Sequence, residues 1–286
     1  MTKIKNNFYF FGFGNMAQAI YQRMNRRAYD NIFLIEKSKK RINEINNIYD
    51  NFNVKHYKNT KIINNLSDSK ITYFDTILLA VKPSDMKSVC AQLKPLIEEE
   101  PLIISIAAGI GSLKIKKYLD NSSYYKLARA MPNLCAKKGM AITGLFGDPN
   151  CYGENGGKML GKDVSKIFSK IGKVLWVKKE SDLDSVTAIS GSGPAYIYYI
   201  MNAMIDAAEE LGLERNNAQK LVAQTIIGAG ETGKDIHNLT NEIVKVSSKG
   251  GTTEKAIDVF KQKKLDAVIK QAIKSAHKRS KELSKQ

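Results

Sequence analysis

The chain has 286 residues, enough for two domains or one large one with a substantial core. Its hydrophobic fraction of 43% is ordinary for a soluble globular protein and argues against a disordered chain. The formal net charge of +17 comes mostly from lysines spread along the whole chain, beside abundant Asn and Ile. That pattern reads as compositional drift toward Lys, Asn and Ile rather than a nucleic-acid-binding stripe, although a basic surface still attracts anionic partners.

At the N-terminus, Lys3 and Lys5 followed by the apolar run through Phe8 imitate a secretory leader, but the run is short and interrupted by glycine. Phe8–Phe11 fits a buried strand. Gly12-x-Gly14-x-x-Ala17 follows, and Met16 to Met24 continues with helical character. Strand, tight glycine turn and helix in this order are what a dinucleotide pyrophosphate requires, which makes Gly12, Phe13, Gly14, Asn15 and Met16 candidate cofactor-binding residues. A second strand, Asn31 to Ile35, ends at Glu36, 22 positions after Gly14. An acidic residue about 20 positions on is the expected partner of the adenosine ribose. Its carboxylate favours the free 2′-hydroxyl of NADH. Lys37, Ser38, Lys39, Lys40 and Arg41 follow at once, either as a seat for the extra phosphate of NADPH or as a solvated first helical turn. The balance leans to NADPH, with NADH as the alternative.

Further candidate strands are Asn53–Lys55, Thr76–Val81, Leu102–Ile106 and Lys126–Arg129, and helical patterns cover Lys39–Ile48, Ser84–Glu98 and Asn155–Ile171. Alternation of this type predicts a doubly wound parallel sheet of Rossmann type, helices on both faces, with Met140–Phe146 and Val174–Val177 as extra edge strands. Cys90, Cys135 and Cys151 are scattered without metal-type spacing and read as reduced thiols of a cytoplasmic protein with no metal site.

After about residue 178 only helical patterns remain, so the expected domains are 1–178, dinucleotide-binding, and 179–286, all-α. Pro194 sits at a first helical position with Ser192 or Gly193 as cap, and the helix stops at Gly212. Further helices are predicted at Asn216–Glu231, Asn238–Val246, Thr252–Lys261 and Leu265–Leu283. The stretch Pro194–Ala208 is interrupted by Asn202 and Asp206 and falls short of the ~20 residues that span a bilayer, so no membrane partner is expected. It is apolar almost all round, which points to an intertwined homodimer or, alternatively, a central core helix.

The stretch Val246 to Thr253, V-S-S-K-G-G-T-T, places four hydroxyl side chains and two glycines at the start of a helix. A helix N-terminus offers unpaired N–H groups and a positive dipole end to a small anion, and glycine lets the backbone approach it. A well-capped helix start is the plain alternative.

Taken together, G12-F-G-N-M-A17, A80-V-K-P83, S105-I-A-A-G109, R129-A-M-P-N133, S190-G-S-G-P-A-Y196 and V246-S-S-K-G-G-T-T253 resemble the pyrroline-5-carboxylate reductase family, in the family's order and over nearly the whole chain. The resemblance implies hydride transfer from NAD(P)H to the C=N bond of 1-pyrroline-5-carboxylate, giving proline. It also implies that Ser248, Gly251, Thr252 and Thr253 cradle the substrate carboxylate, with the Thr253 hydroxyl on the ring nitrogen as the catalytic contact. Ala80, Val81, Lys82 and Pro83 follow the fourth strand, where cofactor ribose and phosphates pass in this fold. Ala107, Ala108 and Gly109 hold the equivalent place after the next strand, leaving room for the nicotinamide, while Met131, Pro132 and Asn133 shape the same cleft.

Two departures bear on the cradle: Lys249 stands where the family usually has Pro, and Asp235–Lys245 offers Ile236 where a carboxylate partner is expected. His56, His237 and His277 fall outside the matched blocks and read as surface residues. A reductase of a related six-membered imine and a non-catalytic NAD(P)-sensing protein are the alternative functions.

Overall fold

The computed structural model describes residues 6–51, 59–64, 66, 71–97, 99–120, 126–147 and 156–285. β1 (Asn7–Phe11) is buried along its length, and its side chains alternate between two cores. Phe8 and Phe10 enter one core, while Tyr9 and Phe11 enter the other. A strand buried on both faces belongs in the middle of a helix-covered sheet. α1 (Asn15–Arg23), β2 (Asn31–Ile35), α2 (Lys39–Asn51), β3 (Thr60–Ile63), β4 (Thr76–Leu79), α3 (Met86–Leu93), β5 (Leu102–Ser105), α4 (Ser112–Tyr118) and β6 (Lys126–Met131) follow. β7 (Ala141–Gly147), α5 (Gly156–Phe168) and β8 (Gly172–Trp176) complete an eight-stranded sheet of order β3-β2-β1-β4-β5-β6-β7-β8.

The strands β1 to β6 pair in parallel, β7 runs antiparallel to β6, and β8 is parallel to β7. The doubly wound sheet and its two edge strands are therefore as the sequence pattern predicts. One core packs α1 and α5 against the sheet through Ile20, Tyr21, Val164 and Phe168. The other packs α3 and α4 through Met86, Val89, Leu93 and Ile115. Each such side chain contributes about 1.5–3 kcal/mol of burial free energy. Burial also pushes the Cys90 thiol up to about 12, leaving it a packing residue rather than a nucleophile.

Several boundaries differ from expectation for identifiable reasons. The expected strand Asn53–Lys55 lies outside the described residues, and the third strand is the four-residue β3, in register with β2 from Ile32↔Thr60 to Ile35↔Ile63. The single helix expected over Ser84–Glu98 is the eight-residue α3 between short 3-10 turns at Pro83–Asp85 and Lys94–Leu96. Pro95 has no N–H to continue the helical ladder, and its ring crowds the carbonyl four residues back. α4 was not expected, nor were α6 (Asp182–Val186) and the π-type turn Thr187–Gly191 that continues it.

Residues 1–191 with 277–286 form one compact unit and residues 192–276 a second. Residues 180–191 are tied into the first unit by the buried side chains of Leu183 and Ala188 and by Asn133, whose amide donates to the Ser190 carbonyl (3.1 Å). The chain's last residues are tied there too: the Ser280 and Ser284 hydroxyls donate to Asp184 (2.6 and 3.2 Å).

The second unit is helical. α7 (Gly193–Glu210) has Ser192 at its N-cap and Pro194 in its first turn. Gly212, at φ +90°, follows its end in the left-handed conformation that favours glycine. α8 (Arg215–Gly233), α9 (Leu239–Val246), α10 (Thr252–Gln262) and the start of α11 (Leu265–Lys285) follow. The buried core of this unit is only Ile205, Ala218 and Val222. Ile197, Tyr198, Tyr199, Ile200 and Leu211 stay exposed, Tyr199 at 80% and Leu211 at 86%. Among the described residues no helix is long and apolar enough to cross a membrane.

Candidate active site

The order of the sheet reverses between β1 and β4, and the loops leaving these neighbours diverge there. In open α/β sheets that crevice is where ligands bind. Gly12 turns out of β1 at φ +82°, and a Cβ on it would stand 2.8 Å from both the Ala80 carbonyl oxygen and Val81 Cγ1. Only glycine fits a turn with that dihedral and that neighbour. Behind the turn the Phe13 ring is buried, in edge contact with Phe10 and Tyr21, each at 5.6 Å between centroids. Phe13 therefore faces the crevice through its backbone only. Gly14 is exposed with open space where a side chain would be, and α1 begins at Asn15 with no side-chain cap. The first N–H groups of α1 are thus left for an outside acceptor. Met16 is half-buried against the core.

Glu36, at the end of β2, is held rather than free. Its carboxylate accepts from the backbone N–H of Phe13 (3.2 Å) and of Ser38 (3.1 Å). Arg41, on α2, donates to the Phe13 carbonyl (3.4 Å) and pairs with Glu44 (2.7 Å). Lys37, Ser38, Lys39 and Lys40 are all exposed beside it. Ala80 and Val81 are half-buried against the glycine turn, while Lys82 and Pro83 are exposed at the start of the next turn. The structure therefore brings three of the sequence-predicted cofactor segments, 12–16, 36–38 and 80–83, to one end of the sheet.

Ala107, Ala108 and Gly109 follow β5. Ala107 and Gly109 are buried, and Gly109 adopts φ +76° with Leu283 against its backbone. Two residues outside the sequence-predicted set frame this turn. Glu180 accepts from the Ser112 N–H, and Arg129 donates to the Ala107 carbonyl. Asn133 is buried and caps the 3-10 turn Leu134–Lys138 by accepting from the Cys135 N–H (3.1 Å).

In the second unit, Val246–Thr253 links α9 to α10. Gly250 adopts φ +75°, its N–H donating to the Glu254 carboxylate at 2.7 Å. Gly251 folds back so closely that a Cβ there would stand 2.9 Å from the Ser248 carbonyl oxygen. Gly251 is the N-cap of α10 and supplies no side-chain cap, so Thr252 and Thr253 open the helix. Ser248 and Thr252 are exposed and Thr253 is half-buried. The four expected cradle residues thus lie together on one uncapped helix start. The Ser247 hydroxyl oxygen is buried there without a hydrogen-bond partner among the described residues.

His237 is exposed, and His56 and Cys151 lie outside the described residues. His277 differs from a free surface residue: it is half-buried, its Nε2 3.5 Å from the Ser185 hydroxyl.

The chain is similar to known proteins over most of its length. A family model described as pyrroline-5-carboxylate reductase dimerisation matches residues 180–283, and one described as NADP oxidoreductase, coenzyme F420-dependent, matches residues 7–109. A pyrroline-5-carboxylate reductase of Pseudomonas aeruginosa is 38% identical over 213 residues, 74% of this chain and 76% of that protein. One from Staphylococcus haemolyticus is 31% identical over 96% of this chain and 97% of its own length. The chain belongs to the pyrroline-5-carboxylate reductase family.

Solved structures agree with that membership. A pyrroline-5-carboxylate reductase of Coxiella burnetii superposes with a TM-score of 0.79 at 31% identity, covering 99% of each chain. A Plasmodium falciparum pyrroline carboxylate reductase with NADP bound superposes at 0.77 with 26% identity, again over 99% of each chain. In this family member the glycine turn, the uncapped start of α1 and the fixed Glu36 fit a nicotinamide dinucleotide.

Gly12→Ala is expected to lower stability by about 1–3 kcal/mol, from the strained dihedral alone, and to abolish detectable cofactor binding. Thermal melting and NADPH fluorescence titration check both, and a variant that binds normally would contradict the close crossing at Ala80.

Proposed function

We propose that this chain reduces 1-pyrroline-5-carboxylate to L-proline with a reduced nicotinamide cofactor. The observation that carries the reading is the family membership, which spans both the dinucleotide turn and the uncapped start of α10. When bound, the cofactor supplies a hydride from nicotinamide C4. The chain's own task is then to hold and orient, because near-attack placement supplies most of what such a transfer needs.

In this reading the N–H groups after Gly14 receive the pyrophosphate, and Glu36, fixed by two backbone donors, meets the adenosine ribose. Ala107, Ala108 and Gly109 leave space for the nicotinamide, and Ala80 to Pro83 border the phosphates. The substrate carboxylate sits at the positive end of the α10 dipole, on the hydroxyls of Ser248, Thr252 and Thr253 and the N–H groups of Thr252 and Thr253, with Gly251, whose own N–H donates to the Ser248 carbonyl, leaving room for its approach. The protonated ring nitrogen donates to the Thr253 hydroxyl oxygen. As the imine carbon gains the hydride, the π pair of the C=N bond passes to nitrogen, leaving a neutral secondary amine that takes its second proton from water. A protonated imine is already electrophilic, so no strong general acid is required. Lys249, exposed beside this seat, adds positive charge toward the same carboxylate.

We assign NADPH as the preferred cofactor. Exposed Lys37, Ser38, Lys39 and Lys40 stand next to the ribose position and offer positive charge and donors to a 2′-phosphate. The second unit buries too little of its own apolar surface to stand alone. Exposed Tyr199, Ile200 and Leu211 are accounted for by an intertwined homodimer, in keeping with the dimerisation model matched over 180–283.

Oxidation followed at 340 nm with pyrroline-5-carboxylate should show turnover with NADPH exceeding that with NADH, and Thr253→Ala should cut kcat about a hundredfold. Absence of turnover with both cofactors from folded protein would overturn the reading. Sedimentation at micromolar concentration should give a dimer or a multiple of it; a stable monomer would refute the assembly.

A further inference from the structure

We infer that Glu180 and Arg129 are positioning residues for the hydride transfer: as a pair they hold both ends of the turn from Ala107 to Ser112, on which the nicotinamide is proposed to rest. The inference deepens the reductase reading and rests on it. Glu180 Oε1 accepts from the Ser112 N–H at 2.6 Å and from Arg129 Nη1 at 3.0 Å, and Oε2 accepts from the Ser112 hydroxyl at 2.8 Å. Arg129 Nη2 donates to the Ala107 carbonyl at 3.4 Å. One ion pair therefore grips the first carbonyl of the turn and its last amide.

The surroundings show that this grip is built rather than incidental. Arg129 stands on β6 beside Ser105, the last residue of β5, so its guanidinium lies next to the point where the turn begins. Its side chain is 10% exposed and that of Glu180 26%, so the pair is largely withdrawn from water. Such a pair costs desolvation and is retained where its geometry matters. Arg129 Nε is buried with no partner among the described residues, so this guanidinium is held by its two terminal nitrogens. At Gly111 a Cβ would stand 3.7 Å from Glu180 Oε1, leaving the carboxylate a clear approach to the Ser112 amide. The remaining side of the turn is closed by Leu283, whose backbone lies against Gly109. A turn braced at 107, 109 and 112 has little freedom to shift, and hydride transfer is sensitive to displacements of about 1 Å.

Neither residue is placed among those that touch cofactor or substrate, so the role differs from binding. In Glu180→Gln the negative charge is lost, so the ion pair with Arg129 becomes a neutral hydrogen bond, and the Ser112 hydroxyl must turn from donating to accepting. The expected result is a kcat lowered about ten- to a hundredfold, with the KM for pyrroline-5-carboxylate within about twofold of the parent. Affinity for 2′-phospho-ADP-ribose, which lacks the nicotinamide, should be unchanged, because the glycine turn and Glu36 are untouched. The isotope effect on kcat with C4-deuterated NADPH should rise as transfer becomes limiting.

Ser112→Ala, which removes one bond and no charge, should show the same pattern more weakly and serves if Glu180→Gln does not fold. A lower melting temperature with unchanged kcat and isotope effect would overturn the inference. Parent protein that binds NADPH without reducing the imine would refute the reductase reading separately. In that case the fluorescence of bound NADPH, altered in Glu180→Gln at constant 2′-phospho-ADP-ribose affinity, still supports the clamp, and unaltered fluorescence overturns it.

Discussion

The approach of the Gly12 backbone to the Ala80 carbonyl is the constraint around which the first unit is organised. It exists because β1 and β4 are neighbours in the sheet while their loops diverge, so the turn after β1 must pass over the start of the turn after β4. Tightness there leaves no room for a side chain at residue 12, sends Phe13 inward onto Phe10 and Tyr21, and leaves the start of α1 uncapped. The same inward turn puts the Phe13 N–H on Glu36, so the end of β2 is fixed relative to the glycine turn by a side chain rather than by strand pairing alone. The shape that receives a dinucleotide is thus a by-product of packing two aromatic-backed strands at a topological reversal.

Much of this was legible in the sequence because its signals are local. The aromatic run before Gly12, the spacing to Glu36 and the hydroxyl-glycine stretch 246–253 each sit within one element and its neighbour. Pro194 and Gly212 likewise bracket α7 by chemistry that a short window contains. What escaped is short or distant. α4 has seven residues, three of them lysine, and too few turns for an apolar period to emerge. β3 has four residues and a lysine at its centre, and the expected strand nearby lies outside the described residues. The contacts of Glu180 with Arg129 and Ser112 join positions 51 and 68 residues apart, a relation that no periodicity encodes. Arg129 lay inside a recognised block, yet its partner across the turn could be named only from the fold.

The two units divide the chemistry and differ in how they are stabilised. The first carries two full cores and can hold a cofactor turn rigid. The second has a minimal core and a broad apolar exterior, the condition of a helical domain whose remaining core is supplied by association. Its α10 starts with Gly251 at the N-cap, so no side chain caps the first N–H groups of that helix. In the proposed reading, backbone donors and a helix dipole suit a small anionic ring.

The most direct test follows the transferred atom. Pyrroline-5-carboxylate incubated with the protein and NADPH deuterated at both C4 positions should yield L-proline one mass unit heavier, with the deuterium on the ring carbon beside nitrogen. Unlabelled product, or no proline from folded protein that binds NADPH, would contradict the account.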